Sequence, residues 1–270
     1  FLFLVDTVAS FRMRGLFRVR RIAAILAIML VPVGAFAQDR DVYALANSLQ
    51  TRMAYVLTGD DRTDEVSRVG LAGLNTLLWR RTAAELGPPQ GVDPAVDELA
   101  FFPLLYWPVV GGAGVNEEAA KRVRAYLMNG GTILFDTRDQ AGDSGGDFSR
   151  LARQLSLPPL VPVDTNHVLT RSFYLLREFP GRWTGGSLWV EKAGERVNDG
   201  VSPVIAGNHD WAAAWAMDEE QRPMFAVVPG GERQREMAYR FGINLVMYTL
   251  TGNYKADQVH MPAIIRRLGK

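Results

Sequence analysis

The sequence contains no cysteine among its 270 residues. Disulfide bonds, thiolate metal sites and a cysteine nucleophile are therefore excluded. Only three histidines are present, and the chain has no H-E-x-x-H pattern or close histidine pair, so no metal site is predicted.

The body of the chain also lacks an excess of basic charge. Of 30 basic and 29 acidic residues, five and one lie within the first 37, which leaves 25 basic and 28 acidic residues from residue 38 onward. Nucleic-acid binding uses a basic face, so we expect no nucleic-acid partner. Apolar residues make up 48% of the chain, which is enough for a folded core.

Residues 1–37 have the pattern of a membrane or export segment. Five arginines between Arg12 and Arg21 precede an apolar run from Ile22 to Ala37. One interpretation is a signal peptide with cleavage after Ala37. The other is the end of one membrane helix, a basic cytoplasmic loop and a second, rather short helix. Both place the arginines inside and residues 38–270 outside, which for a bacterial inner membrane is the periplasm.

A buried helix of a soluble protein is the remaining alternative for this segment, and the arginine cluster disfavours it. The chain begins with Phe1 rather than Met, and we take this to favour a truncated protein with several membrane spans. We therefore expect an inner-membrane protein whose globular part faces the periplasm. A lead-in helix is predicted over 38–52 from its helical apolar spacing.

Strands and helices alternate over residues 53–135. The pattern predicts strands at Met53–Thr58, within Leu99–Val110 and at Thr132–Phe135, with helices after Thr63 and Asn116. The Gly130-Gly131 pair is expected to stop the second helix. Such alternation is typical of a parallel sheet with right-handed crossovers, so the fold class is α/β. Gly70 and Gly73 would let the first helix lie close to the sheet.

The later part of the chain is less regular. We predict strand-like segments at Val201–Ala206, Trp211–Met217 and Met224–Val228, the last two as a hairpin. A final helix is predicted over Arg233–Leu250, ended by Gly252-Asn253.

Charged side chains follow the strand at Thr132–Phe135. In open α/β sheets ligands bind at the carboxyl ends of strands, which makes this the best place for a site. The candidate ligand-binding residues are Asp60, Asp136, Thr137, Arg138, Asp139 and His167, and the candidate catalytic residues among them are Asp136, Asp139 and His167. The competing interpretation is that the Arg and Asp side chains pair with one another and only hold the loop. For Asp60, the role of a helix N-cap is favoured.

Several stretches together resemble a known bacterial family. They are Thr58–Asp60, Phe102–Pro108, Tyr126–Asp136, Asp136–Asp139, Asn166–Tyr174, Gly242–Tyr248 and Leu250–Gln258. They are similar to a domain of unknown function found at the C-terminus of inner-membrane proteins of the aerotolerance-regulator (BatA-like) type. The resemblance covers residues 53–268, and its helix, Gly-Gly, strand block is similar to that of class I glutamine-amidotransferase-like, flavodoxin-like domains.

The resemblance implies a mostly parallel sheet with helices on both faces, further membrane helices upstream, and protein partners such as MoxR-type ATPases and von Willebrand A-type proteins. It establishes no activity, and it leaves the cofactor unassigned. Amidotransferases of this class carry a Cys nucleophile just after the central strand, whereas this chain has Asp136 and Thr137 there. Thiolate glutaminase chemistry is therefore excluded.

Three functions follow as expectations. The first is a non-catalytic, membrane-tethered binding or scaffold domain of an envelope complex. The second is a cysteine-independent hydrolase that acts at the carboxyl edge of the sheet. The third is a purely structural module of a larger membrane complex.

Overall fold

The computed structural model describes residues 49–139, 145–192 and 202–268, with side chains of the last helix described as far as Thr251. The predicted membrane segment 1–37 and the predicted lead-in helix up to residue 48 lie outside the described residues. Within the described parts, no helix is both long and apolar enough to cross a bilayer.

The described residues form seven strands and five α-helices. The strands are β1 (Arg52–Val56), β2 (Gly87–Val92), β3 (Leu104–Pro108), β4 (Thr132–Asp136), β5 (Leu160–Pro162), β6 (Trp189–Glu191) and β7 (Val204–Gly207). The helices are α1 (Asp61–Arg81), α2 (Glu117–Met128), α3 (Gly145–Leu155), α4 (Trp211–Trp215) and α5 (Glu232–Leu268).

All seven strands form one sheet in the order β2-β1-β3-β4-β7-β6-β5. The five neighbouring strands β2, β1, β3, β4 and β7 are mutually parallel. Strand β6 is antiparallel to both of its neighbours, β7 and β5. The predicted α/β class with a mostly parallel sheet is thus confirmed. Pro108 of β3, Asp136 of β4 and Gly207 of β7 lie side by side in register, so these three strands end at one edge.

Helices cover both faces of the sheet because strand side chains alternate between the faces. Tyr106 of β3 points to one side and meets Trp215 of α4 edge-on, with ring centroids 6.4 Å apart. Phe135 of β4 points to the other side and packs on Phe148 of α3 at 5.6 Å. The core is therefore divided into two layers by the sheet.

Two glycines of α1 mark a close approach of backbones. A Cβ at Gly70 would lie 2.3 Å from the carbonyl oxygen of Ala212, and one at Gly73 would lie 2.1 Å from that of Trp215. The predicted close contact exists, but its partner is α4 and not the sheet. Gly130-Gly131 stops α2 as predicted, with Gly130 at a φ of 91°.

The predictions for the later chain need correction. Trp211–Met217 was predicted as a strand, but α4 occupies its first part because Asp136 binds the N–H groups where that helix begins. The predicted hairpin is reduced to one antiparallel bridge between Met217 and Pro223. Helix α5 runs on to Leu268, past the predicted stop at Gly252-Asn253.

Three strands were not predicted. The edge strand β2 contains Pro88 and Pro89, and two adjacent prolines predict the end of the preceding strand and helix rather than a new strand. Strands β5 and β6 have three residues each, too few for an alternating pattern to show. Prolines in β2 and β5 lie at the two edges of the sheet, where a missing N–H costs no ladder bond.

Candidate functional site

Asp136 is the last residue of β4 and is completely buried. Its Oδ1 accepts hydrogen bonds from the backbone N–H groups of Arg138 and Asp210, each at 3.1 Å. Its Oδ2 accepts from the N–H of Trp211 at 2.7 Å and from the hydroxyl of Tyr106 at 3.0 Å. The four lone-pair positions of the carboxylate are thus all occupied by donors from the protein.

The surroundings of Asp136 act on its pKa in opposite directions. Burial and the nearby Asp210 carboxylate raise the pKa of Asp136 to about 7, although its four hydrogen bonds favour the charged form. Burial likewise raises the pKa of Asp210, which Arg138 and Arg182 partly offset. Tyr106 stays protonated because burial and the Asp136 charge raise its pKa well above the usual value.

The carboxylate of Asp136 ties together two turns with left-handed backbone. Arg138 has a φ of 57° and Asp210 a φ of 52°, a region that non-glycine residues adopt at a cost of about 1 kcal/mol or more. Both donate their N–H to the same oxygen of Asp136. Asp136 therefore acts as a clasp that holds the ends of β4 and β7 in one arrangement.

The side chain of Arg138 extends from its turn toward the beginning of α1. Its Nη1 donates to the hydroxyl of Thr63 at 3.1 Å. Asp60 caps α1 by accepting from the N–H of Thr63 at 3.0 Å, which confirms the cap interpretation, and this bond and the Arg138 charge contribute to a lowered pKa of Asp60. The indole N–H of Trp183 donates to the carbonyl of Arg138 and covers the turn.

Thr137 and Asp139 line a cavity of about 620 Å³. The Thr137 hydroxyl donates to Asp139 Oδ1 at 2.7 Å. The cavity lies between α3, the ends of β4 and β7, and the strands β5 and β6. Its lining combines polar side chains with an apolar wall: Thr137, Asp139, Gly145, Phe148, Ser149, Ala152, Leu157, Pro158, Leu160, Ser187, Trp189, Ala206, Gly207 and Asn208.

The structure does not bring His167 to this edge. Its Nε2 lies 3.2 Å from the hydroxyl of Ser202, which precedes β7, so His167 sits beside the amino end of that strand. Its Nδ1 accepts from the N–H of Leu169, and the neutral ring therefore carries its proton on Nε2. In that tautomer Nε2 donates and cannot take a proton from Ser202.

Two residues next to the clasp, His209 and Arg182, are not among the candidate residues chosen from the sequence. His209 is buried against Trp211, with ring centroids 4.7 Å apart, and burial lowers the pKa of His209 to about 4. Arg182 pairs with Asp210 at 3.3 Å and lies over the ring of Trp183. The pair His209-Asp210 after a strand was a visible signal for the first, whereas Arg182 lies in an irregular segment without a pattern.

A smaller cavity of about 260 Å³ lies at the ends of β1 and β3, where β2 has been added on one side of β1 and β3 on the other. Three polar side chains line it, and each already has a local partner. Thr58 donates to Asp64, Asp93 accepts from the N–H of Ala95, and Asn116 caps α2 by accepting from the N–H of Ala119. Within the described residues, no group of three or more His, Asp or Glu side chains is arranged to hold a metal ion.

Comparison with known proteins gives one family. The model of a domain of unknown function, DUF4159, matches residues 52–250, from the start of β1 into α5. This confirms the predicted resemblance to a domain of unknown function. No curated protein matches the chain.

Proposed function

Because that match covers most of its length, the chain belongs to the DUF4159 family, and we propose that its described domain is a non-catalytic binding domain. The proposed binding site is the cavity of about 620 Å³ at the carboxyl edge of β4 and β7. Its size is in the range of small-molecule sites, roughly 300–1,000 Å³. It also lies where parallel sheets place ligands.

The saturated carboxylate of Asp136 is the observation that carries this proposal. A general base needs a free lone pair directed at the substrate, and a metal ligand needs one directed at the ion. Asp136 directs its lone pairs at Arg138, Asp210, Trp211 and Tyr106 instead. Its position supports a role in shaping the edge and not in chemistry on a ligand.

The alternative is a cysteine-independent hydrolase that uses Asp136, Asp139 and His167. It has less support, because His167 lies at the amino end of β7 while the two carboxylates lie at the carboxyl end of β4. The three side chains do not converge on one reacting atom, as catalysis requires.

The finer fold assignment is also a proposal. The order β2-β1-β3-β4 agrees with the flavodoxin-like order 2-1-3-4-5, with β7 in the fifth position. The antiparallel β6 departs from that order. Together with the quoted sequence stretches, this supports an amidotransferase-like ancestry in which the catalytic cysteine is absent.

We further propose that the domain belongs to a BatA-like protein complex of the bacterial inner membrane, faces the periplasm, and acts with MoxR-type ATPases and von Willebrand A-type proteins. The resemblance of the sequence stretches and the arginine-rich segment before Ile22 support this placement. A reporter enzyme that works only outside the cytoplasm, fused after Lys270, should be active. Activity from a reporter that works only inside would contradict the placement.

The binding function is tested by blocking the cavity. Ala152 of α3 lines the cavity, and Ala152→Phe would fill part of it. Ala125 of α2 is exposed and does not line it, so Ala125→Phe is the matched control. The full chain is screened by thermal shift against sugars, amino acids, nucleotides and divalent metal salts.

We expect at least one of these classes to raise the melting temperature of wild type and Ala125→Phe but not that of Ala152→Phe. Ligand at about 100 times its Kd adds about 2.7 kcal/mol of stability, which the assay detects easily. A panel without any shift, or a shift that Ala152→Phe retains, would contradict the proposed site.

A further inference from the structure

We infer that the cavity between α3 and β7 binds a hydroxyl-rich ligand without negative charge, of the sugar or amino-sugar class. This inference rests on the proposed binding function and names the ligand chemistry of the same site. It follows from which hydrogen-bonding groups the lining offers, from its apolar wall and from its charge.

The polar part of the lining offers both acceptors and donors. The hydroxyl of Thr137 donates to Asp139 and the hydroxyl of Ser149 donates to the carbonyl of Gly145 at 2.7 Å, so both hydroxyl oxygens can still accept. Asn208 donates one N–H of its Nδ2 to the carbonyl of Asp139 at 3.2 Å and keeps a second N–H. A ligand that satisfies such a wall must both donate and accept, as hydroxyl groups do.

Another part of the lining is apolar and contains an aromatic ring. Phe148, Leu157 and Leu160 belong to it, and Trp189, which also lines the cavity, is 40% exposed. A partly exposed Trp presents a large apolar face together with one polar N–H group. A sugar ring has the matching form, because hydroxyl groups project around a ring whose faces carry C–H groups.

The described lining offers no cation to an anionic ligand. None of the described residues that line the cavity is Lys or Arg. The closest arginine in sequence, Arg138, directs its side chain away toward Thr63. Phosphate and carboxylate recognition depends on such cations, so the cavity disfavours ligands of that kind.

The test uses three ligands with the same sugar ring and different charge. Isothermal titration of the full chain is carried out with glucosamine, glucose and glucuronate, which are cationic, neutral and anionic. We expect glucosamine and glucose to bind at least tenfold more tightly than glucuronate, a factor that equals about 1.4 kcal/mol.

Substitution of one lining residue makes the test specific. Thr137→Val removes the hydroxyl at nearly constant shape and is expected to weaken glucosamine binding about fivefold to tenfold. Thr76→Val is the control, because the Thr76 hydroxyl lies on α1 and donates only to the carbonyl of Ala72. The control should bind glucosamine as wild type does.

The outcomes separate the two proposals. Glucuronate binding as tight as glucosamine binding, or equal binding of glucosamine by Thr137→Val and wild type, would overturn the ligand class. If none of the three binds while another class gives a shift that Ala152→Phe abolishes, the ligand class is wrong and the binding function stands. If no class gives such a shift, the binding function itself fails.

Discussion

Two buried titratable groups next to the site should make the stability of this domain depend on pH in opposite directions. The pKa of Asp136 is raised from 3.8 to about 7, and that of His209 is lowered from 6.5 to about 4. Two variants each remove one of these titratable groups: Asp136→Asn and His209→Phe. In the second, Phe keeps the stacking on Trp211.

The sign follows from which state binds more protons. The unfolded chain releases the Asp136 proton near pH 3.8 and the folded protein holds it until about 7, so this group lowers stability as pH rises between those values. At about 1.36 kcal/mol per pKa unit, the loss is about 4 kcal/mol. Conversely, His209 is neutral in the folded protein above pH 4, so its contribution of about 3 kcal/mol is present above pH 6.5 and is lost on acidification.

The two contributions nearly cancel in wild type between pH 4 and 6.5. The free energy of unfolding of Asp136→Asn, compared with that of wild type, should therefore rise by about 4 kcal/mol as pH rises from 4 to 7. That of His209→Phe, compared with wild type, should fall by about 3 kcal/mol as pH rises from 4 to 6.5. A constant cost of about 1–3 kcal/mol accompanies Asp136→Asn, since the amide cannot accept from both Trp211 and Tyr106.

The assay is urea unfolding of the full chain at half-unit steps of pH, followed by the fluorescence of buried tryptophans such as Trp211 and Trp215. Differences from wild type cancel the groups that all variants share. The double variant Asp136→Asn/His209→Phe should lack both slopes. If the difference in free energy of unfolding between Asp136→Asn and wild type does not change from pH 4 to 8, the raised pKa of Asp136 is contradicted.

Two further pairs of variants test the packing and the clasp. Gly70→Ala should destabilise the protein by about 1–3 kcal/mol, because its Cβ meets the backbone of α4, whereas Gly111→Ala, with open space around it, should be neutral or slightly stabilising in thermal unfolding. Equal effects would show that α1 and α4 are not in close contact. Arg138→Gly and Arg138→Ala both lose the bond to Thr63, but the glycine variant should be more stable by about 1 kcal/mol because only glycine adopts a φ of 57° without cost. Chemical denaturation that ranks alanine above glycine would contradict the strained turn.

The strands β1, β3 and β4 and the helices α1 and α2 were predictable because their signals are local. Asn116 caps α2, Gly130-Gly131 stops it, and the apolar run after Thr132 forms a fully buried strand. Where tertiary contacts override local preference, prediction failed. The run from Trp211 is apolar enough for a strand, but the N–H groups of Asp210 and Trp211 are bound by Asp136, some 75 residues earlier, and the segment forms a helix.

The site was predictable in its position but not in its roles. The carboxyl end of β4 is where Asp136, Thr137, Arg138 and Asp139 lie, as the strand pattern indicated. The sequence does not show that Asp136 accepts from the N–H groups of Asp210 and Trp211 while Thr137 lines the cavity, because both depend on the later part of the chain. Nor does it show that His167 belongs to the amino end of β7, since that depends on how the later strands join the sheet.

We propose that the cavity at the carboxyl edge holds a ligand and does not transform it. Equilibrium dialysis of the full chain against glucosamine, followed by mass spectrometry of the retained and free ligand, tests both parts together. We expect wild type and Ala125→Phe to retain glucosamine with unchanged mass and Ala152→Phe not to retain it. Equal retention by Ala152→Phe, or recovery of a chemically altered ligand, would contradict it.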